Sequence, residues 1–545
     1  MEKRTLIAIV LSFLVLVGYQ YFFAPKPQKS TPMVQQPAEQ QQPQQSGQAV
    51  EQNVRSFYAT HRNASPEQVI HVQTPFYTAA LTSSNAAIQH WYLNDYKTSL
   101  SSGSPSVDLI GNIKGVMNPM WESFDGSSFT LPSTIPYACS ALSVTIPDSH
   151  ASTSIVCSYT THSLDLRKIL TFYGNSYTAT VNINITNLSR QPVTERIGVN
   201  WSGLSGELGT RYDIADGIML INNSRDTIEA KSLNLSKSYD GSIEWFGMES
   251  RYFIQTVIPG ESEPAHLYAT RTESAQNGLI PLLLTYIYNP KTIQPDASSA
   301  ITYTVFLGPK NMDVLNSAGF HLNRALYFGW ANVIAKPIFY VLRFIDRYAH
   351  NYGWSIVLLT ILIRIILFPL GQVGFKSMRK MQKLTPKINE LKEKYKDDKE
   401  RQYREMTNLY RTYKINPLGG CLPILLQIPV FIALYEVLLS SIELRQSPFI
   451  WWIKDLAVPD SIGTLNLLGF QLGIHILPLI MGITMFFQQM LMPTTGDQTQ
   501  AKILLWVMPI MLTVLFWGFP AGLVLYWTIN NIFSIGQQYY ILKKY

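Results

Sequence analysis

Long apolar segments in the last third of this 545-residue chain constrain its fold more than any other feature. Each has about the 17–25 residues that an α-helix needs to cross the hydrocarbon of a bilayer. Backbone groups in hydrocarbon must be hydrogen-bonded within their own segment, so such segments are helical. A similar apolar run lies near the N-terminus. The sequence therefore predicts six transmembrane helices, at residues 6–23, 353–370, 420–440, 474–492, 503–519 and 521–541.

The first apolar run follows the basic sequence MEKR and is compatible with a cleaved signal peptide or a permanent anchor. It has 18 residues, whereas the apolar core of a signal peptide has about 7–15. It also lacks a small-x-small cleavage site. We therefore expect residues 1–24 to be an uncleaved transmembrane anchor. The Pro- and Gln-rich residues 25–56 are expected to form a disordered linker.

Residues 57–325 have the pattern of a soluble, mainly β domain. Residues 177–186 alternate strictly between apolar and polar side chains, and residues 301–307 repeat the alternation. A period of two places one face of a strand in a core and the other in water. Many short strands separated by turn residues are typical of a large antiparallel β sandwich, which is the fold expected here.

The basic residues of the loops predict the orientation in the membrane. Residues 376–414 contain 13 Lys and Arg residues against 6 Asp and Glu residues, a net charge of +7. Lys and Arg are enriched in cytoplasmic loops. With six spans, both termini then lie in the cytoplasm and the β domain lies outside. The whole chain also has a formal net charge of +7. In a membrane protein such an excess indicates cytoplasmic loops rather than nucleic-acid binding.

Residues 326–350 are apolar on one side and are interrupted by Lys336, Pro337 and Arg343. This pattern favours an amphipathic helix at the membrane surface. A spanning helix is the alternative.

The basic loop 376–414 has the pattern of an antiparallel pair of helices with a turn at Asp397 and Asp398. The two matching seams are formed by Met381, Leu384, Ile388, Leu391 and Tyr395 and by Tyr403, Met406, Tyr410 and Tyr413. Their spacing of three and four residues is that of a coiled coil. The positive charge suits an acidic partner, either lipid head groups or ribosomal RNA. A solvated spacer between spans is the alternative. Candidate contact residues are Lys380, Lys383, Lys387 and Lys394.

Arg364 lies within the apolar segment LLTILIRIILFPL. A charge near the bilayer centre costs about 2.5–3.5 kcal/mol on insertion scales, and arginine cannot lose its charge by deprotonation. The five C-terminal segments contain no acidic residue except Glu436, so a dedicated ion pair is not expected. These observations favour a water-filled pocket around Arg364. Snorkelling of the side chain to the cytoplasmic interface is the alternative.

Several uncharged polar residues are also predicted at membrane depth. Buried amides often only join helices to one another, so each can be either structural or part of a polar pocket. The candidates are Thr360, Gln427, Gln488, Gln489, Thr528, Asn530 and Asn531.

The sequence has no strong signal of an enzyme. It lacks a P-loop, a GxSxG motif and an HExxH motif, and no two of its three cysteines have the CxxC spacing. We therefore expect no catalytic residues, cofactor, metal site or small-molecule substrate. Cys139 and Cys157 lie in the outer domain, where a disulfide is allowed. Spacing alone leaves their pairing open.

Four stretches of the chain resemble the YidC/Oxa/Alb family of YidC-type insertases. They are RTLIAIVLSFLVLVGYQYFF, NYGWSIVLLTILIRIILFPL, NPLGGCLPILLQIPVFIALY, and MPIM with FPAGLVLYWTINN. The order and spacing of these stretches agree along nearly the whole chain. The resemblance implies a polytopic α-helical membrane protein with a five-helix core at residues 351–545. It also implies the periplasmic antiparallel β-supersandwich of the Gram-negative form.

The resemblance further implies a function. It indicates a chaperone and insertase of the bacterial inner membrane, which helps nascent membrane proteins to insert, fold and assemble. A hydrophilic groove would open to the cytoplasm and to lipid. The implied partners are nascent membrane proteins, the Sec translocon, the ribosome and membrane lipids. A transporter or channel with a carbohydrate-binding outer domain is the alternative. The implied groove residues are Arg364, Thr360, Gln427, Tyr526 and Asn531.

Overall fold

The computed structural model describes residues 67–111, 116–147, 151–207, 214–260, 265–272, 278–413, 422–467, 470–491 and 498–544. The chain divides into two compact units at Leu326 and Tyr327. The predicted anchor at residues 1–24 and the predicted linker at residues 25–56 lie outside the described residues.

The first unit is a β structure. Its described residues form a 14-stranded sheet, a five-stranded sheet and a two-stranded ribbon. The strands are β1 Val69–Gln73, β2 Tyr77–Thr82, β3 Ile88–Lys97, β4 Ser106–Asp108, β5 Trp121–Ser123, β6 Ala138–Cys139, β7 Ser143–Thr145, β8 Ser152–Thr160, β9 Leu164–Tyr173, β10 Thr178–Asn187, β11 Val193–Glu195, β12 Gly198–Glu207, β13 Ile214–Ile221, β14 Ser224–Ile228, β15 Ser236–Gly241, β16 Ile243–Glu249, β17 Phe253–Pro259, β18 Ala265–Arg271, β19 Ile280–Ile287, β20 Lys291–Ile293 and β21 Ser298–Pro309.

The large sheet has the order β15-β18-β19-β12-β13-β16-β17-β21-β10-β9-β8-β6, with β14 paired to β13 and β5 paired to β12. The small sheet has the order β4-β3-β2-β1-β7. Pairing is antiparallel throughout the large sheet, whereas β1 and β7 are parallel. The ribbon joins β11 to β20, and a short helix, α1 Met312–Ala318, follows β21.

Period-two alternation predicts the central strands of the large sheet correctly. The two alternating segments, residues 177–186 and 301–307, lie in β10 and β21. These strands pair with Val181 opposite Tyr303 and Ile183 opposite Ile301. All four of these side chains are buried. Because neighbours on paired strands point to the same side of a sheet, the two apolar faces join into one core surface. This confirms the β-sandwich prediction for the domain.

A fully buried ion pair links two strands of the large sheet. Lys168 on β9 lies 3.0 Å from the carboxylate of Glu122 on β5. Its ammonium group also donates to the carbonyl oxygens of Asn85 at 3.0 Å and Met120 at 2.7 Å. Tyr303 on β21 donates to the same carboxylate at 2.6 Å. Burial lowers the pKa of Lys168, and Glu122 opposes that change. Since Asn85 lies in the turn between β2 and β3, the ammonium group connects the small sheet to the large one.

Cys139 and Cys157 form a disulfide. They are directly opposite each other on β6 and β8. The sequence left this pairing open, because a separation in the chain does not reveal which residues face each other in a sheet. The chain passes from the large sheet to the small one between β6 and β7. The disulfide fixes β6, where this connection begins, to β8 of the large sheet.

The β unit contains a carboxyl group that makes its stability depend on pH. Burial raises the pKa of Asp216 on β13 from 3.8 to about 6, although the hydroxyl of Ser205 donates to it at 2.7 Å. The folded protein therefore binds this proton more tightly than the unfolded chain. The contribution of Asp216 to the free energy of unfolding is complete below pH 3.8 and is lost as the pH rises through about 6.

We expect Asp216→Asn to stabilise the protein at neutral pH by about 1 kcal/mol, after allowance for its partial exposure, and to have no effect near pH 4. Thermal unfolding of the purified protein across this range measures the difference. Asp226→Asn, on the exposed side of β14, is the matched control for the loss of one carboxylate from the β unit. An equal gain in stability for Asp216→Asn at neutral pH and near pH 4 would contradict the raised pKa of Asp216.

The second unit is mainly helical. Its described helices are α2 Asn332–Ala349, α3 Tyr352–Lys394, α4 Lys399–Thr412, α5 Leu422–Ser440, α6 Ile476–Leu491, α7 Gln498–Leu515 and α8 Ala521–Lys544. A hairpin of β22 Thr464–Leu467 and β23 Phe470–Gly473 precedes α6. Helix α8 packs against α3 and α6, α2 packs against α3 and α5, and α7 packs against α6.

Several of these helices expose a continuous apolar face. In the described part of the chain, one stretch, Tyr352–Pro369 of α3, is long and apolar enough to cross a membrane. Shorter apolar helices are Gln427–Ser440, Ile476–Leu491 and Leu505–Gly518. The exposed side chains recur at three- and four-residue intervals, as on α6 at Leu479, Ile483, Phe487 and Met490. Contiguous apolar surface of this extent is unusual on a soluble protein and is typical of contact with lipid.

Two predictions about helix boundaries need correction. The amphipathic helix predicted at residues 326–350 begins only at Asn332, after a 3-10 turn at Gly329–Ala331. The first arm of the hairpin predicted at residues 376–414 is not a separate helix, because α3 runs unbroken for 43 residues from Tyr352 to Lys394.

The hairpin seam is partly as predicted. Met381, Leu384 and Ile388 of α3 form a buried cluster, against which α4 packs Met406, Leu409 and Tyr410. The prediction was wrong for Tyr403 and Tyr413, which are exposed. The phenol group explains the exposure of Tyr413, since its hydroxyl bonds to Lys387 at the surface. Leu409, which is wholly apolar, packs in the seam instead.

Candidate functional site

Arg364 is held by polar groups of α8. Its Nε donates to Oδ1 of Asn530 at 2.5 Å. Its Nη2 donates to the backbone oxygen of Asn530 at 3.2 Å and to Oγ of Ser534 at 2.6 Å. Arg364 lies within the apolar stretch of α3, so these bonds fix a guanidinium group inside a segment that can cross a membrane.

Asn530 connects three helices. Its Oδ1 also accepts a hydrogen bond of 2.7 Å from Nε2 of Gln427 on α5. The side-chain oxygen of Asn530, on α8, therefore accepts one hydrogen bond from α3 and one from α5. We call Arg364, Gln427, Asn530 and Ser534 the polar cluster.

The polar cluster continues toward the end of α8. Gln537 donates to the backbone oxygen of Phe368 at 3.2 Å, and Gly371 leaves room for this side chain. One turn later Arg379 donates to the backbone oxygen of Ile541 at 3.2 Å. A basic side chain at the last carbonyls of a helix satisfies groups that lack partners within the helix. The interface of α3 and α8 therefore contains polar contacts at three levels, at Arg364, at Gln537 and at Arg379.

Tyr526 and Thr360 extend the polar cluster in the other direction. Tyr526 lies one turn before Asn530 on α8 and is fully buried, with its hydroxyl beside Gln427 and Arg364. That hydroxyl has no well-formed hydrogen bond to any residue that the structure describes. Thr360 lies one turn before Arg364 and donates to the backbone oxygen of Ile356 at 2.6 Å. Thr360 therefore shares the face of Arg364 but is satisfied by its own helix.

Asn531 does not join the polar cluster, which differs from its expected place in the groove. Its Nδ2 bonds to the backbone oxygen of Met481 at 3.4 Å and to Oγ1 of Thr484 at 3.3 Å, both on α6. It is a contact between α8 and α6. Asn530 and Ser534 take its place beside Arg364. The four-residue spacing of Tyr526, Asn530 and Ser534 was the signal in the sequence that pointed to one polar face of α8.

The positive charge of Arg364 has neutral neighbours. Its described partners are an amide, a backbone carbonyl and a hydroxyl, as expected from the lack of acidic residues in the segments. A guanidinium carries five N–H donors, so the three bonds to α8 leave donor capacity. Arg364 is partly exposed. The remaining N–H donors of Arg364 can therefore bind water, or attract an acidic group of another molecule.

The four predicted hairpin lysines lie together. Lys380, Lys383, Lys387 and Lys394 are all exposed on α3. Their spacing of three, four and seven residues places them on one side of the helix, next to the buried seam. This face offers a row of ammonium groups to an acidic surface.

The chain has a β-sandwich unit and a helical unit with exposed apolar faces and an arginine within an apolar helix. These features define a class, the membrane proteins with a large β domain outside the bilayer. Family models match both units. The model described as "YidC periplasmic domain" matches residues 69–341, and the model described as "60Kd inner membrane protein" matches residues 344–545.

The chain belongs to the YidC family of membrane protein insertases. The YidC insertase of Syntrophus aciditrophicus is 36% identical over 563 residues, which cover 100% of both chains. That of Pelobacter propionicus is 36% identical over 556 residues, covering 100% of this chain and 99% of the relative. A crystal structure of an active YidC insertase covers 88% of this chain and 93% of that chain, with 18% identity and a TM-score of 0.37.

Membership of the family confirms the resemblance and the main functional prediction. The chain is an inner-membrane insertase with a periplasmic domain. The relatives are named as insertases, which agrees with the prediction that the chain is not an enzyme and not with the transporter or channel alternative.

Proposed function

We propose that the polar cluster lines a hydrated groove through which client proteins enter the membrane. The observation that supports it most directly is the guanidinium of Arg364, which is partly exposed, held by α8 and surrounded by neutral partners. A charge with no acidic partner at this depth is stabilised by water more than by hydrocarbon. Water around Arg364 would make the cluster a polar region within the lipid-embedded helices.

Such a groove would lower the barrier to insertion. A client helix gains about 0.3–0.6 kcal/mol for each Leu, Ile, Phe or Val that reaches lipid, so the overall process is favourable. The barrier is the passage of its polar flank through hydrocarbon. A hydrated groove shortens that dry path, and Arg364 attracts acidic flanks. The client helix then leaves sideways into lipid.

The proposed topology has six transmembrane helices, of which α3, α5, α6, α7 and α8 form the core. At a rise of about 1.5 Å per residue, helices of this length cross most or all of a hydrocarbon layer of about 30 Å. Their exposed apolar faces support the assignment. The N-terminal anchor at residues 1–24 would supply the sixth span. The basic hairpin then places both termini in the cytoplasm and the groove open to that side.

The proposed partners follow from the charge of the hairpin and from the chemistry of insertion. Nascent membrane proteins are the clients. The exposed lysines Lys380, Lys383, Lys387 and Lys394 provide a basic surface for the ribosome or for anionic lipid head groups. The Sec translocon is a further proposed partner, with which the protein would act on some clients. Arg364, Thr360, Gln427 and Tyr526 are the proposed groove residues.

Crosslinking to a client tests the proposed groove. A photoreactive residue replacing Gln427 is expected to crosslink a ribosome-bound nascent membrane protein, because its side chain lies in the polar cluster. The matched position is Ile483 on the exposed apolar face of α6, from which crosslinks to lipid are expected instead. Client crosslinks from position 483 that equal those from position 427 would count against the groove.

A further inference from the structure

Helix α2 exposes an apolar face that carries two arginines. Val333, Tyr340, Phe344 and Tyr348 are exposed along this face. The opposite face, with Ala335, Phe339 and Leu342, is buried. Because α2 packs against α3 and α5 through its buried face, the exposed face is not part of the helical core.

A surface hollow of about 360 Å³ lies on this face. It is lined by Tyr340, Val341, Arg343, Phe344 and Arg347. Arg343 and Arg347 are one helical turn apart, so both side chains border the same hollow. The guanidinium of Arg343 lies 5.7 Å from the ring centre of Phe339, and Arg347 is exposed. Apolar walls with two guanidinium groups at the edge suit an amphiphile with a negatively charged head.

The acidic residue of α2 is turned away from the hollow. Asp346 accepts a hydrogen bond of 3.3 Å from Ser355 on α3 and does not line the hollow. Arg347 makes no ion pair with any residue in the described ranges. The residues that line the hollow include two basic side chains and no acidic one, so the complementary ligand is an anion.

The place of α2 in the chain points to the membrane surface. It ends at Ala349, and α3 begins three residues later, with Asn351 as its N-cap. The hollow therefore lies next to the first residues of the stretch Tyr352–Pro369. In the topology proposed above this is the periplasmic end of the span, where Lys and Arg are usually depleted. Two arginines that line an apolar hollow at that end, Arg347 exposed and Arg343 half-buried, favour an anionic ligand.

We propose that this hollow binds an anionic phospholipid of the periplasmic leaflet. Its phosphodiester would bond to Arg343 and Arg347, because guanidinium groups match phosphate oxygens in geometry and charge. The upper part of an acyl chain would lie against Tyr340, Val341 and Phe344. Bound lipid would hold α2 at the interface and so fix the periplasmic end of α3. This inference rests on the topology of the proposed function.

Photolabelling of the full chain in phosphatidylcholine vesicles tests the site. A minor fraction of the lipid carries a photoreactive acyl chain on phosphatidylglycerol in one sample and on phosphatidylcholine in the other. Phosphatidylglycerol is expected to label peptides containing residues 340–347 several-fold more strongly. Arg343→Gln and Arg347→Gln are each expected to lower this labelling about fivefold. The double variant Arg343→Lys with Arg347→Lys is expected to retain most of the labelling, because it keeps both positive charges.

Lys336→Gln is the matched control, since it removes a charge from α2 outside the hollow, and its labelling is expected to be unchanged. Equal labelling by the two lipids would overturn the lipid site while leaving α2 at the membrane. Full labelling of the double variant Arg343→Gln with Arg347→Gln would do the same. No labelling of α2 by either lipid would instead overturn the interfacial position that the topology requires. Unchanged thermal unfolding of each variant shows that it is folded.

Discussion

Arg364→Ala will reduce the insertion of clients whose translocated flank is acidic by about tenfold, which corresponds to about 1.4 kcal/mol of lost stabilisation. A charge-assisted hydrogen bond contributes about 1.5–3 kcal/mol, so the loss of one such contact to an acidic flank is sufficient. Clients with neutral flanks will be affected less, because they use the water of the groove rather than its charge. Protease protection of clients in vesicles containing the purified protein measures both classes.

Two variants separate charge from structure. Arg364→Lys keeps the charge but replaces the planar guanidinium, which bonds to Asn530 and Ser534 through two nitrogens, by a single ammonium group. Its activity should therefore fall between wild type and Arg364→Ala. Asn531→Ala removes an amide that contacts α6 rather than Arg364, and it should not discriminate between acidic and neutral flanks. An equal loss for both client classes in Arg364→Ala would show that the residue acts through packing alone.

Lys168→Met will destabilise the β domain by about 3–5 kcal/mol, because it leaves the carboxylate of Glu122 buried without its partner. The methionine fills most of the volume of the lysine side chain, so the loss reports the charge and not a cavity. The double variant Glu122→Gln with Lys168→Met is expected to recover most of that stability, since no uncompensated charge remains. The free energy of unfolding of the β domain is measured for the wild type, Lys168→Met and the double variant. The purified full chain is unfolded in denaturant, and limited proteolysis reports the unfolding of the β domain.

Arg167 gives a matched control in the neighbouring position. It pairs with Asp165 at 2.8 Å, but its side chain is 58% exposed. Exposed ion pairs contribute about 1 kcal/mol or less, so Arg167→Met is expected to have little effect. If Lys168→Met proved no more costly than Arg167→Met, the buried ion pair of Lys168 and Glu122 would have no special importance for stability.

The sequence predicted features that depend on local periodicity. Alternation identified β10 and β21, and it also places Lys168 on the buried side of β9, between Leu166 and Leu170. What the pattern could not identify was the partner of Lys168. Glu122 lies 46 residues away in the chain and meets Lys168 only when β5 and β9 take their places in the large sheet.

The site was predictable in its centre but not in its neighbours. Arg364 was evident because a charge in an apolar segment is costly. Asn530 and Asn531 are adjacent in sequence, and their side chains diverge by about 100° around a helix of 3.6 residues per turn. Which of them faces Arg364 depends on how α8 packs against α3 and α6. That packing is set by contacts distant in the chain, so the sequence did not choose between the two asparagines.

The central claim is that water reaches the polar cluster from the cytoplasm, and cysteine accessibility tests it most directly. In a background with Cys421→Ser, Gln427→Cys and Ile428→Cys are treated with a charged, membrane-impermeant thiol reagent from each side. Gln427 bonds to Asn530, whereas the side chain of Ile428 is 47% exposed, and the proposed topology places it against lipid. We expect the cysteine at position 427 to react from the cytoplasmic side only and the one at position 428 to stay unmodified. A cysteine at position 427 that reacts only after denaturation would contradict the hydrated groove.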